Sequence, residues 1–175
     1  MNAILAPVPA IALPSPAGAL SGQHLTFQLR GGIYAMPLEH VREIIEFGSL
    51  TTVPRMPAFV RGVMNLRGAV LPVVDLGARL GLPPAEASRK TCVVILELPG
   101  DTAPLVVGAL VDAVCEVAEF APTDIQPAPS FGAGIEDRFM QGMIRSDAQF
   151  IILLHTSAAL SPHELARLAA DMATQ

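Results

Sequence analysis

Phe59-Val60-Arg61-Gly62-Val63-Met64-Asn65-Leu66-Arg67-Gly68-Ala69-Val70-Leu71-Pro72-Val73-Val74 reads as two short apolar strands about a tight turn. Arg67-Gly68 is the break, because a two-residue hairpin turn demands a left-handed backbone that glycine adopts without steric cost. The unit returns 80 residues later. There Phe139-Met140-Gln141-Gly142-Met143-Ile144 matches the first strand, and Phe150-Ile151-Ile152-Leu153-Leu154 matches the second. Phe and Gly fall at equivalent places and the turn keeps its register. One strand–turn–strand unit in each half predicts two similar small barrels; chance likeness between two apolar hairpins is the competing reading.

Outward from this hairpin, His24–Arg30 reads as a strand, with Gly31-Gly32 as the turn into Ile33–Met36. Val41–Phe47 is apolar at 41, 44, 45 and 47, too short a run for periodicity to assign. Pro54 and Pro57 mark a loop. Cys92–Leu98, Leu105–Val111, Val114–Phe120 and Phe150–Leu154 complete the strands, with Pro99-Gly100-Asp101 as a further turn. Every connection is short and no long helix intervenes, which predicts closed or nearly closed antiparallel barrels. Ser161-Pro162-His163-Glu164 forms a capping box, and Leu165, Leu168, Ala169 and Met172 then share one helical face. Residues 161–175 are therefore expected to form a C-terminal helix, packed on its own domain or offered to a partner.

The 175 residues suit one domain of ordinary size or two small ones sharing a core. Half the chain, 51%, is apolar, while 15% is charged, against about 25% in an average soluble protein. A net charge of −5 argues against a phosphate-binding surface and hence against nucleic acid. The first charged residue is Arg30. The uncharged start lacks a basic leader, and Pro7, Pro9, Pro14 and Pro16 interrupt its apolar run. It fits neither a signal peptide nor a membrane span, and residues 1–22 read as a disordered Pro/Ala-rich tail. Cys92 and Cys115, each among apolar strand residues, read as two buried thiols, which points to the cytoplasm. Low charge also hints at apolar surface left for partners, although a plain β protein would share it.

Signatures of chemistry are missing. Gly132-Ala133-Gly134 lacks the third glycine of a dinucleotide loop, no serine stands in a Gly-x-Ser-x-Gly elbow, and His163-Glu164 has no second histidine at zinc spacing. His24, His40, His155 and His163 are scattered, so no metal set emerges. Asp75 and Asp112 each end an apolar strand, where capping explains them better than catalysis. Glu43 and Arg67 stand out as charges in apolar surroundings. Either they pair, with an arginine fork fixing barrel register, or each faces a partner.

Three segments carry a resemblance: Tyr34-Ala35-Met36-Pro37-Leu38-Glu39-His40-Val41-Arg42-Glu43-Ile44; Pro57-Ala58-Phe59-Val60-Arg61-Gly62-Val63-Met64-Asn65-Leu66-Arg67-Gly68; and Leu71-Pro72-Val73-Val74-Asp75-Leu76. With Val107-Gly108-Ala109-Leu110-Val111-Asp112 and Ile125-Gln126-Pro127-Ala128-Pro129, they resemble the CheW family of chemotaxis coupling proteins over about residues 23–160. The resemblance implies a mainly β fold of two five-stranded SH3-like barrels around a common apolar core. It implies no enzymatic activity and no cofactor. It implies an adaptor joining the cytoplasmic tips of chemoreceptors to the regulatory domain of the CheA histidine kinase, at receptor arrays on the inner face of the membrane.

Carried over by position, the family's receptor groove falls on Val41, Gly62, Gly108, Val114 and Val117, and Glu43 and Arg67 match its characteristic acid and base beside that groove. Gly62 and Gly108 would let a receptor helix approach closely, although a strand glycine more often marks a bulge. The kinase-facing surface falls around Leu50 and Arg61, with a ring-closing contact near Phe131. Gln126 replaces a basic residue common before the Pro-Ala-Pro stretch, and Pro37 and His40 stand where the family is more aliphatic. Two alternatives stay open: a regulator of a non-swimming chemosensory pathway or competitor for the kinase, and a small barrel enzyme, which no motif favours.

Overall fold

A computed structural model describes residues 22–54, 56–100, 103–127, 137–147, 149–161 and 164. The strands are β1 (Gln23–Leu29), β2 (Gly32–Pro37), β3 (Val41–Glu46), β4 (Val60–Leu66), β5 (Ala69–Asp75), β6 (Cys92–Leu98), β7 (Leu105–Val111), β8 (Ala113–Glu119), β9 (Ile125–Gln126), β10 (Met140–Ser146) and β11 (Gln149–Leu154). One-turn helices α1 (Leu76–Arg79) and α2 (Thr156–Ala159) follow β5 and β11. Arg67 (φ 54°) and Gly68 (φ 88°) form the expected left-handed turn. In the first hairpin the turn is Arg30 (φ 50°) and Gly31 (φ 86°), one residue earlier than Gly31-Gly32, so that Leu29 pairs with Gly32 and stays buried.

The strands form two sheets, ordered β8-β1-β2-β11-β10-β9 and β3-β6-β7-β5-β4. The five-stranded sheet gains an isolated bridge from Thr51 to Val63, which mirrors the pairing of short β9 with β10. Pairing is not wholly antiparallel: β5 runs parallel to β7 and β11 parallel to β2. The two sheets are not the two halves of the sequence either. Hairpin β1–β2 opens the first half but pairs within the sheet of β8–β11, while β6–β7 opens the second half but completes the sheet of β3–β5. The halves have exchanged their leading hairpins, so each subdomain contains chain from both.

Despite the exchange, the repeat is detailed. Register shifts fall between Val60 and Gly62 and between Met140 and Gly142. The Phe59 carbonyl accepts from the Asp75 N–H at 2.7 Å, and that of Phe139 from His155 at 2.8 Å. Asp75 and His155 then cap α1 and α2 by accepting from Ala78 and Ala158. A second correspondence, 73 residues apart, links Ala35 with Gly108, each facing the second strand of the repeat hairpin in its sheet. It also links the bulges at Arg42 and Cys115.

Apolar side chains fill three cores. The largest is shared, combining Leu25, Phe27 and Met36 of one sheet with Val94, Leu96 and Val107 of the other. Leu71, Val73, Val93, Ile95 and Leu110 form a private core of the five-stranded sheet, and Ala35, Ile144, Ile151 and Leu153 one of the six-stranded sheet. Strand β6 alternates between the shared and private cores, which is why its run Cys92-Val93-Val94-Ile95-Leu96 is apolar throughout.

Charges join the sheets at two places. Arg30 donates from Nη1 to Asp112 Oδ1 at 2.9 Å, from its backbone N–H to Asp112 Oδ2 at 2.6 Å, and from Nε to the Pro83 carbonyl at 2.6 Å. Its Nη2 reaches Asp75 at 3.3 Å, and Arg61 meets the other Asp75 oxygen at 3.3 Å. These contacts offset the left-handed φ of Arg30, which disfavours a side chain by about 1–2 kcal/mol. Arg79 lies between the equivalent rings of Phe59 and Phe139, at 4.9 and 5.0 Å, and donates to the Ala159 carbonyl and Glu164. The Ser161 hydroxyl accepts from the Glu164 N–H, as the capping box requires, but the Glu164 carboxylate turns to Arg79. The rest of the expected C-terminal helix, and the tail 1–21, lie outside the described residues. Cys92 is buried as expected, whereas Cys115 is exposed, because it is the extra residue of the β8 bulge.

Candidate partner-binding site

Glu43 follows the β3 bulge and Arg67 occupies the β4–β5 turn, so both stand at one rim of the five-stranded sheet. They pair as a fork: Arg67 Nη1 donates to Glu43 Oε2 at 2.6 Å and Nη2 to Oε1 at 2.8 Å. Of the two readings open in the sequence, mutual pairing is the one the geometry adopts. The hydrogen bonds from Arg67 hold the Glu43 carboxyl below its ordinary range, against the opposing effect of partial burial. The same bonds raise Arg67.

Beneath the fork lies a cavity of about 410 Å³ floored by Leu66, Val70, Leu71, Pro72, Ile95 and Val106. Leu71 and Ile95 belong to the private core, so the cavity is where that core opens to solvent. Val70 is 68% exposed at its edge, although surface valines are usually scattered one by one on polar ground. Arg42 continues the rim and reaches Glu97 at 3.3 Å. An apolar floor with a charged, hydrogen-bond-rich rim suits docking of another protein.

The remaining sequence-predicted residues separate into three places. Leu50, Gly62 and Gly108 adjoin the same private core. The space beside both glycines is already used by the protein itself. A Cβ on Gly62 (φ 152°) would lie 2.5 Å from the Thr51 carbonyl oxygen, and one on Gly108 2.7 Å from Val93 Cγ1. Gly62 marks a bulge and Gly108 a tight strand packing, so neither glycine's missing side chain opens room for a helix. Val41, Val114 and Val117 lie on β3 and β8 and pack on the shared core at the seam between the sheets. Arg61 is half-buried against Asp75, in the Arg30 cluster. Phe131 lies outside the described residues.

Sequence reasoning missed Arg30, whose role depends on two aspartates brought from 45 and 82 residues away. It also passed over the exposure of Val70 and Phe150, the two exposed large hydrophobic residues among those described, which the 80-residue repeat aligns. Among the described residues no helix is long and apolar enough to cross a membrane, and no three His, Cys, Asp or Glu side chains are grouped to hold a metal ion.

Residues 23–164 match the family model described as a CheW-like domain. The chain is 34% identical over 140 residues to a probable chemotaxis protein CheW of Rhizobium etli, covering 80% of this chain and 88% of that one. A chemotaxis protein CheW of Rhizobium meliloti gives the same identity and coverage. Among solved structures, the scaffolding protein TtCheW of Thermoanaerobacter tengcongensis superposes with a TM-score of 0.68 at 30% identity, over 77% of this chain and 88% of that one.

Proposed function

This chain belongs to the CheW-like domain family, and from that premise we propose that it is a non-catalytic adaptor that couples chemoreceptors to a CheA-type histidine kinase. The observation that carries the reading is the match over residues 23–164, joined to the two-sheet fold of a scaffolding protein. The Glu43–Arg67 fork above an open apolar floor supports a protein–protein role, because it combines a fixed charge pattern with surface that gains by being covered. Val41, Val114 and Val117 at the seam are assigned to the receptor tip, together with Glu43 and Arg67 of the fork, while Gly62 and Gly108 serve that surface through the close packing they allow within the five-stranded sheet. Leu50 and Phe131 are assigned to the kinase. Arg61 acts there through its hold on Asp75. The working location is the cytoplasmic side of receptor arrays.

The test is reconstitution with a cognate receptor and kinase, following kinase autophosphorylation with and without the chain. The adaptor reading expects the chain to bind both partners and to make the kinase rate depend on the receptor. Binding to neither, with the rate unchanged, sinks it.

A further inference from the structure

A small pocket of about 150 Å³ lies between Pro37–His40 and the start of α2 and shares no lining residue with the cavity under the Glu43–Arg67 fork. Four of its lining residues stand at positions equivalent to residues in or beside the cluster that holds the Arg30 guanidinium. The 80-residue repeat matches Gln141 with Arg61, His155 with Asp75 and Ser157 with Gly77, while the 73-residue correspondence matches Glu39 with Asp112. Gly77 belongs in this set because a Cβ there would lie 2.6 Å from the Arg30 guanidinium carbon. One socket is thus filled by the chain's own arginine, and among the described residues its mate is open.

That the described residues supply no internal occupant has a visible reason. Arg30 is carried by the β1–β2 turn, and the equivalent β6–β7 connection reads Pro99-Gly100-Asp101-Thr102-Ala103-Pro104, without a lysine or arginine. The charge of the walls has nonetheless been kept. Asp75, Asp112 and Arg61 sum to −1 around Arg30; Glu39 gives −1 in the mate, counting histidine as neutral. Acceptor capacity persists too, in the Gln141 amide, the Ser157 hydroxyl and the Glu39 carboxylate, whose Oε2 lies 3.8 Å from His40 Nε2 and whose other oxygen is left for a ligand. Where the first socket has Leu76, the second has Thr156, whose buried hydroxyl has no hydrogen-bond partner. The His155 ring nitrogen Nδ1 is occupied, accepting from the Ala158 N–H. A volume equal to about five waters accommodates one planar guanidinium.

We infer that the pocket of Glu39, Gln141, His155 and Ser157 is a socket for an arginine side chain presented by a partner protein, equivalent to the socket Arg30 fills from within. A planar fork matches several separated acceptors at once, which an ammonium does not. The inference goes beyond the adaptor reading, and its test needs neither kinase nor receptor.

The test titrates the full chain with N-acetyl-arginine methylamide, following side-chain and backbone NMR signals of Gln141, His155 and Ser157. Saturable shifts with a dissociation constant on the order of millimolar are expected. The blocked lysine analogue should bind at least about threefold more weakly, and Glu39→Gln should weaken the arginine probe by about tenfold, the loss of one charged contact. Gln141→Arg, which brings the wall charge to zero, should abolish binding while the spectrum shows an intact fold. Absence of saturation, equal binding of the lysine analogue, or preferential binding of acetate overturns the guanidinium assignment. Free L-arginine binding at least tenfold tighter than the blocked form would make this a metabolite site and overturn the partner-protein assignment.

Discussion

Two arginine forks in this molecule grip carboxylates at similar distances, and their surroundings make them opposites. The Arg30 side chain is 11% exposed and the Asp75 side chain 10%, and their cluster ties the first hairpin to the ends of β5 and β7. The Arg67 side chain is 71% exposed, and its partner Glu43 is at 29%. Water screens the second pair and leaves little net stabilisation, whereas removal of Arg30 from the first leaves the little-exposed Asp75 carboxylate to Arg61 alone, largely shielded from water. Hydrogen-bond geometry alone therefore says little about what an ion pair is for. The buried fork holds subdomains together; the exposed one remains available to whatever docks over the apolar floor.

The largest effect should come from the buried side. Arg30→Met keeps the aliphatic stem but leaves Asp75 and Asp112 short of their cation, at an expected cost of about 3 kcal/mol or more. Urea unfolding at unchanged m-value would measure it, and a loss below about 1 kcal/mol would erase the contrast between the forks. Next are the glycines. Gly62→Ala and Gly108→Ala should each destabilise by about 1–3 kcal/mol through overpacking, with partner affinity intact in the fraction that remains folded. If affinity falls while stability holds, their backbone is a docking surface after all.

A smaller, pH-dependent term belongs to His24. Burial lowers its pKa below 6.5, against the raising effect of its hydrogen bond to the Gly22 carbonyl. Its contribution is therefore complete above the unfolded value and lost as pH falls toward the lowered folded value, because the unfolded chain binds the proton more readily. Thermal unfolding between pH 7.5 and 5.5 should show a decline that His24→Phe reduces; an identical decline in the variant refutes the assignment. The smallest stability change is expected for Glu43→Gln and Arg67→Ala, which should leave the unfolding midpoint almost unmoved. Their effect should appear in partner binding, and the double mutant should lose less than the sum of the singles. The Glu43 carboxyl is lowered, so the fork persists through neutral and mildly acidic pH and opens only as pH falls through its lowered value.

Much of the secondary structure was legible for local reasons. Val60–Leu66, Cys92–Leu98 and Leu105–Val111 fall where apolar runs between turn residues predict them. Asp75 was legible as a cap and does cap α1, whereas α2 escaped notice, since four residues carry no periodicity and His155 is an uncommon cap. The antiparallel expectation missed the pairing of β2 with β11, because two strands more than a hundred residues apart leave no local trace. At the candidate site, the acid and base were conspicuous as charges in apolar segments. Their union was not, because it depends on a bulge at Arg42 that turns Glu43 toward the β4–β5 turn.

By itself the sequence determined the units: short strands, tight turns, a hairpin used twice, and a chain poor in charge. Those follow from side-chain periodicity and backbone sterics, which act over a few residues. Tertiary structure alone decided which hairpin joins which sheet. Alternation specifies the face a strand buries, not the neighbour whose edge it takes. The exchange of β1–β2 for β6–β7 brought Arg30 to Asp75 and Asp112 and left the equivalent socket, among the described residues, without an arginine. Identical repeats would have filled both sockets or neither. The asymmetry arises because one turn ends in Arg30-Gly31 and its counterpart does not, a difference that acquires meaning only once the two halves have folded through each other.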